Sequence, residues 1–129
     1  MSLLNFEFSS KVIKKESKWV NWCREVNNKF AIKESDYLVK PHVINPYHLI
    51  PEVFKLADTI TIFVCGDATA CIVPFQTAQI KSGMNMFSNS GSASMGYDLP
   101  AAIGAAVAAP ERPIICFAGD GSIMMNLQE

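Results

Sequence analysis

Charge is scarce in this 129-residue chain: Asp, Glu, Lys and Arg make up 18% of it, and 11 basic residues against 12 acidic ones leave a formal net charge of −1. So balanced a chain does not point to nucleic acid as its partner. Histidine is limited to His42 and His48, and Cys23, Cys65, Cys71 and Cys116 never fall into a C-x-x-C spacing. Neither a zinc site nor a disulfide framework is indicated, and reduced thiols in a cytoplasmic protein fit the pattern. Long hydrophobic runs are missing too. The longest apolar uncharged stretch, Leu99–Pro110, is well short of the roughly 20 residues a membrane helix needs. No basic segment followed by an apolar one opens the chain, so no signal peptide is expected. No internal repeat is evident, and the composition excludes a collagen-like chain or a disordered tail.

Half of the residues are hydrophobic, enough for one compact domain or a piece of a larger one. Charge is unevenly spread: residues 1–40 hold eight Lys/Arg against five Asp/Glu, and residues 41–129 hold three against seven. Lys11, Lys14, Lys15 and Lys18 sit among Glu16 and Glu25, which reads as a solvated helix face. Trp19, Trp22, Cys23, Val26 and Phe30 recur at three- and four-residue steps, predicting an amphipathic helix from Ser10, its N-cap, to about Asn27. Lys33–Pro41 has no sustained period and reads as a linker, with a boundary there.

Beyond it, Asn45-Pro46 is a cap followed by proline at the first helical position, and Leu49, Ile50, Val53, Phe54 and Ala57 trace one helical face, with Pro51 expected to kink it. Thr59–Val64 is rich in β-branched residues and runs into Cys65-Gly66-Asp67, so a buried strand ending in a loop is expected. A helix from Thr69 to about Ile80, a strand over Met84–Phe87 and a polar loop over Ser88–Ser92 follow. Met95–Ala109 reads as an Ala- and Gly-rich helix able to pack closely on a sheet, and Pro113–Ala118 as a strand covered on both faces. Strands alternating with helices predict an α/β fold, an open parallel sheet with flanking helices. Because Thr59–Val64 and Pro113–Ala118 both end in glycine-containing loops, they are expected to be parallel near-neighbours with Gly66 and Gly119 at one edge.

Gly119-Asp120-Gly121-Ser122 directly follows the last strand, with a helix expected to begin near Ile123. Glycines let backbone N–H groups approach an anion, a helix start favours phosphate, and Asp120 offers the hard oxygen a Mg²⁺ ion would use. In open parallel sheets this carboxyl edge is where ligands bind. Taken locally these residues are weak evidence, and an ordinary D-G turn is the plainer reading of them. Likewise, Met95 reads alone as core filling and Asp98 as an acid in a first helical turn, and the two histidines carry no catalytic pattern.

The run Asn89-Ser90-Gly91-Ser92-Ala93-Ser94-Met95-Gly96-Tyr97-Asp98-Leu99-Pro100-Ala101-Ala102-Ile103-Gly104-Ala105, with Gly119-Asp120-Gly121-Ser122 and Asn126-Leu127-Gln128-Glu129, resembles the thiamine-diphosphate-dependent decarboxylase and acetolactate synthase family. The resemblance covers roughly residues 43–129. It implies that residues 41–129 are the N-terminal part of a thiamine-diphosphate-binding domain and residues 1–40 the tail of a preceding domain and its linker. It further implies that Asp120 is a metal ligand, that Gly119, Gly121 and Ser122 face the cofactor's diphosphate, that Met95 props the cofactor, and that Ala93 and Ser94 lie along it, Ala93 through its carbonyl.

Asp67, Ala68 and Thr69 fall where relatives place another cofactor-contacting loop, and the acid at Asp67 departs from the residues usual there. The implied cofactors are thiamine diphosphate and Mg²⁺, and these residues say nothing of FAD in the parent enzyme. The implied parent is a homo-oligomer, a dimer or tetramer, acting on a 2-oxo acid by decarboxylation and carboligation. Further metal ligands and an activating glutamate would lie outside these 129 residues, so the chain alone is expected to be inactive; its catalytic residues are unassigned. The competing readings are a simple 2-oxo acid decarboxylase and a non-catalytic phosphate- or nucleotide-binding α/β module.

Overall fold

A computed structural model describes residues 18–30 and 41–129. The chain divides into two units, residues 1–32 and 33–129. In the first, helix α1 (Lys18–Lys29) carries the expected apolar stripe, with Trp19 stacked on Trp22 at 4.9 Å between ring centroids. It has no buried residue. Its expected start at Ser10, the lysines before Lys18 and most of the linker lie outside the described residues.

The second unit is built on a three-stranded sheet. Helix α2 spans Pro46–Leu56, strand β1 Ile62–Cys65, helix α3 Thr69–Thr77 and strand β2 Asn85–Ser88; helix α4 spans Asp98–Ala108, strand β3 Ile114–Phe117 and helix α5 Asp120–Met125. All strands run parallel in the order β2-β1-β3, with Ile62 opposite Asn85 on one side and Ile114 on the other. The expected open parallel α/β sheet is therefore present.

Strand alternation puts Phe63, Cys65, Ile115 and Phe117 on one face of that sheet and Val64 and Cys116 on the other. On the first face, Phe54 of α2 stacks on Phe63 at 4.1 Å, and Phe117 lies 6.1 Å from both rings. Ile50, Val73 and Met84 complete this core. Each fully buried phenylalanine contributes about 1.5–3 kcal/mol to holding α2 on the sheet. Small side chains let α4 pack against β3 and β1 on the opposite face, where the Cys116 thiol donates to Asp98 O at 3.6 Å. β1 is buried throughout, whereas β3 is only half-buried, short of the two-sided cover its apolar sequence predicts.

Several element limits move for identifiable reasons. α2 begins as expected, the Asn45 side chain accepting from Tyr47 N at 3.0 Å, and it contains Pro51. β1 starts three residues later than expected, since the Asp58 side chain and carbonyl accept from Ile60 N and Thr61 N and hold Asp58–Thr61 in a turn. α3 stops at Thr77, with Ala78 N closing onto Pro74 O. α4 starts at Asp98 rather than Met95, because Gly96 takes a φ of +80°.

Arg112, just before β3, ties together the N-terminal ends of the strands: Nε donates to Ile60 O at 2.6 Å, and Nη2 donates to Gly83 O at 2.8 Å and Asn85 Oδ1 at 3.0 Å. A planar fork reaches three acceptors that a lysine cannot. Arg112→Ala is expected to lower stability by about 1–2 kcal/mol, discounted for solvent around these groups, and Arg112→Lys to recover little of it. Urea unfolding checks both, and full recovery by lysine would reduce the role to bare charge.

Candidate functional site

The two glycine-containing loops meet where the sequence puts them. β1 and β3 are parallel neighbours, and Gly66 N donates to Phe117 O at 2.9 Å, so Gly66 and Gly119 share the C-terminal edge of the sheet. A cavity of about 500 Å³ opens there, within the range of cofactor sites. Pro46, Leu49 and Ile50 of α2 form one wall, Asp67–Ala70 another, and Met95 with Phe117–Ser122 the rest. Its charged lining residues are Asp67 and Asp120, with no Lys, Arg or His beside them among the described residues. An anion entering it therefore needs a cation for company.

Asp120 is the first residue of α5, so the expected loop over Gly119–Ser122 is already helical from Asp120, three residues before Ile123. Its exposed carboxylate accepts from Gly121 N at 2.8 Å. Gly119 and Gly121 leave the cavity side open: a Cβ on Gly121 would meet only Met95 Cε, at 3.4 Å, and one on Gly119 only Ser122 Cβ, at 3.7 Å. Such bare backbone is a cradle for an anion.

Ser122 lines the same cavity, and its hydroxyl makes contacts inside the protein. Its side chain is buried, its oxygen accepts from Gly96 N at 2.8 Å, and its hydroxyl donates to Asp98 Oδ2 at 2.6 Å. The hydroxyl is thus committed inside the protein. Met95, Gly119, Asp120, Gly121 and Ser122 are brought to one cavity, while Ala93 and Ser94 are exposed and do not line it. Ala93 and Ala68 both have positive φ, at 49° and 47°. Alanine tolerates this at a cost of order 1–3 kcal/mol; Ala68 lines the cavity itself, and Ala93 lies two residues before Met95, which does.

Sequence reasoning missed the polar network beneath this edge. Asp98 is fully buried, Oδ1 accepting from Leu99 N at 2.9 Å, and Asn126 Nδ2 donates to Gly96 O at 2.5 Å. A Cβ on Gly66 would lie 2.6 Å from Asp98 Oδ2. An acid opening an Ala-rich helix was the available signal, but solvated first-turn acids look the same in sequence.

Burial pushes the Cys65 thiol up to about 12, with the neighbouring Cys71 and Cys116 adding to it, and the Cys116 thiol up to about 11, with Asp98 adding to it. A folded-state pKa above the ordinary 9.0 means a stability contribution complete below about pH 9 and lost as pH rises through 11 to 12. The melting temperature is therefore expected to fall above about pH 9 by this route, and iodoacetamide at pH 8 to reach Cys65 later than the half-exposed Cys23. Early alkylation of Cys65, read by peptide mass, would show that the end of β1 opens.

A parallel α/β sheet with a glycine-lined cavity at its carboxyl edge defines a class of ligand-binding domains. Residues 66–129 match the family model described as thiamine pyrophosphate enzyme, C-terminal TPP binding domain, and the chain belongs to that family. It is 60% identical over 86 residues to the acetolactate synthase isozyme 1 large subunit of Escherichia coli K12, covering 67% of this chain and 15% of the relative. It is 33% identical over 129 aligned positions to the acetolactate synthase large subunit of Buchnera aphidicola from Acyrthosiphon pisum, covering 92% of this chain and 21% of the relative. A probable acetolactate synthase large subunit of Methanococcus aeolicus is 32% identical over 132 positions, covering 92% and 22%. The chain thus spans between 15% and 22% of the length of these three relatives. Among the described residues no helix is long and apolar enough to cross a membrane.

Proposed function

We propose that residues 41–129 supply the diphosphate- and metal-facing part of a thiamine diphosphate site in an enzyme that decarboxylates 2-oxo acids and joins the product to an acceptor, as in acetolactate synthase. The observation carrying this reading is the cavity at the β1/β3 edge, which pairs glycine backbone suited to phosphate with carboxylates and no basic side chain among the described residues. A diphosphate fits there only with a divalent cation between it and Asp120. Among the described residues no group of three His, Cys, Asp or Glu could cage a metal. Mg²⁺ takes one or two carboxylates and fills its octahedron with phosphate oxygens and water, so Asp120 can serve as its carboxylate in this reading.

In this reading Asp120 holds Mg²⁺, and Gly119, Gly121 and the Ser122 backbone face the diphosphate. Met95, beside which Gly121 adds no side chain, supports the body of the cofactor, and Leu49, Ile50 and Phe117 keep water from that side. Ala93 and Ser94, exposed and outside the cavity lining, would meet the cofactor only where it extends past Met95, Ala93 through its carbonyl. Thiamine diphosphate supplies, when bound, a carbon nucleophile for the 2-oxo carbonyl and an electron sink for loss of CO₂. In this reading the protein residues position the cofactor and exclude water. A cytoplasmic homo-oligomer completes the proposal.

The test is calorimetric titration of the full-length protein carrying these residues with thiamine diphosphate, with and without Mg²⁺, beside a nucleoside triphosphate. Binding that requires Mg²⁺ and favours thiamine diphosphate is expected. Equal binding of the nucleotide, or cation-independent binding, would leave a general phosphate-binding module instead.

A further inference from the structure

The buried Asp98 carboxylate has no part in the site as proposed, yet burying an acid is costly unless its oxygens are satisfied. Here Leu99 N occupies Oδ1 at 2.9 Å and the Ser122 hydroxyl occupies Oδ2 at 2.6 Å. The second bond has a directional consequence. A serine hydroxyl can donate once, and the donation to Asp98 leaves its lone pairs as acceptors, one of which takes Gly96 N at 2.8 Å.

Four residues further along the chain, just past α5, Asn126 Nδ2 donates to Gly96 O at 2.5 Å. Positions four apart on a helix share a face. Ser122 and Asn126 therefore grip the N–H and the C=O of Gly96. Gly96 has a φ of +80°, and a Cβ there would stand 2.8 Å from Asn126 Nδ2, so the grip closes on a position only glycine fits. Met95 is the residue next to Gly96, and Asp120 and Gly121 occupy the turn of α5 that Ser122 belongs to. What Asp98 fixes is thus the spacing between the cavity wall made by Met95 and the wall made by Asp120 and Gly121.

We infer that Asp98 is a positioning residue for the cavity, aiming the Ser122 oxygen at Gly96 and so holding Met95 and the Asp120–Gly121 turn at one separation. This rests on the thiamine diphosphate reading above. Asp98 and the Ser122 hydroxyl touch no cofactor; they act through the Gly96 peptide groups.

The experiment compares Asp98→Ala, Asp98→Asn, Ser122→Ala and the Asp98→Ala/Ser122→Ala double variant in the full-length protein carrying these residues. Three quantities are read: hydrogen-exchange protection of the Gly96 amide, Kd for thiamine diphosphate in saturating Mg²⁺, and the melting temperature without cofactor. Loss of a hydrogen bond to a charged group predicts that Asp98→Ala and Ser122→Ala each lose about tenfold or more in both protection and affinity. The Asp98→Asn variant keeps an acceptor and is expected to remain within about threefold of the native protein in both. The double variant is expected to be no worse than Ser122→Ala, because one chain of contacts is broken twice.

If Asp98→Ala does not fold, Asp98→Asn against Ser122→Ala supplies the same contrast. Lost Gly96 protection and a lowered melting temperature with unchanged Kd would make the network purely structural and overturn the inference. So would weakened binding in Ser122→Ala alone, which would put the hydroxyl on the cofactor itself. A native protein that binds no thiamine diphosphate would overturn the function reading and this inference with it, whereas the other two outcomes leave the function reading standing.

Discussion

Gly66→Ala is expected to destabilise the sheet unit by about 3 kcal/mol, the upper end of what overpacking a tight site costs. The added Cβ would lie 2.6 Å from Asp98 Oδ2 and 3.2 Å from Phe117 O. Neither can give way cheaply. Phe117 O belongs to the backbone and accepts from Gly66 N, and the Asp98 carboxylate is fully buried and held by Ser122 and Leu99. Gly104→Ala is the matching control: nothing lies within 4 Å of the Cβ it would add, and the residue sits inside α4. There alanine lowers the entropy of the unfolded chain and is expected to stabilise by about 0.5–1 kcal/mol. Urea unfolding of the two variants side by side should move the midpoints in opposite directions. Midpoints that move together would mean that Gly66 is free to shift and that the Asp98 pocket is looser than its distances imply.

The strand pairing was legible in sequence because both strands combine branched or apolar residues with a glycine loop at the same end, and parallel α/β topology then puts those ends together. Asn45-Pro46 was legible for the same reason of unambiguous chemistry, a side-chain acceptor followed by a residue with no N–H to lose. The start of β1 was not. Its β-branched residues Thr59, Ile60 and Thr61 favour a strand, but the Asp58 side chain two residues before Ile60 captures the backbone in a turn.

The site divides along a similar line. Backbone-defined features such as Gly119, Gly121 and the edge itself followed from local sequence, whereas the direction of the Ser122 side chain depends on Asp98, 24 residues away. No local pattern distinguishes a serine that faces a diphosphate from one that faces a buried acid. The positive φ at Ala68 and Ala93 was equally hidden, since alanine gives none of the warning that glycine gives at such positions.

Asp120→Ala, in the full-length protein carrying these residues, is expected to abolish Mg²⁺-dependent binding of thiamine diphosphate while changing stability by about 1 kcal/mol or less. The cavity is lined by two acids and no base among the described residues, so a diphosphate depends on the cation, and the cation depends on a carboxylate that fixes its place and geometry. Asp120 is exposed, and among the described residues its carboxylate accepts only the N–H of Gly121, at 2.8 Å. Alanine therefore removes one helix-start hydrogen bond and nothing from the core, whose residues lie around Phe54 and Phe63.

Two companions sharpen the result. Asp120→Asn retains an acceptor for Gly121 and removes only the charge, so it should melt like the native protein and still bind poorly. Asp67→Ala removes the other acid of the cavity; if Asp120 alone holds the ion, this change should leave the Mg²⁺ requirement in place and ease the repulsion felt by the diphosphate. Calorimetric titration with and without Mg²⁺, run beside thermal melts, separates binding from folding for all three. Native-like, Mg²⁺-dependent affinity in Asp120→Ala would make Asp120 a helix-start residue and move the ion to Asp67. Loss of affinity accompanied by an equal loss of stability would return the effect to folding.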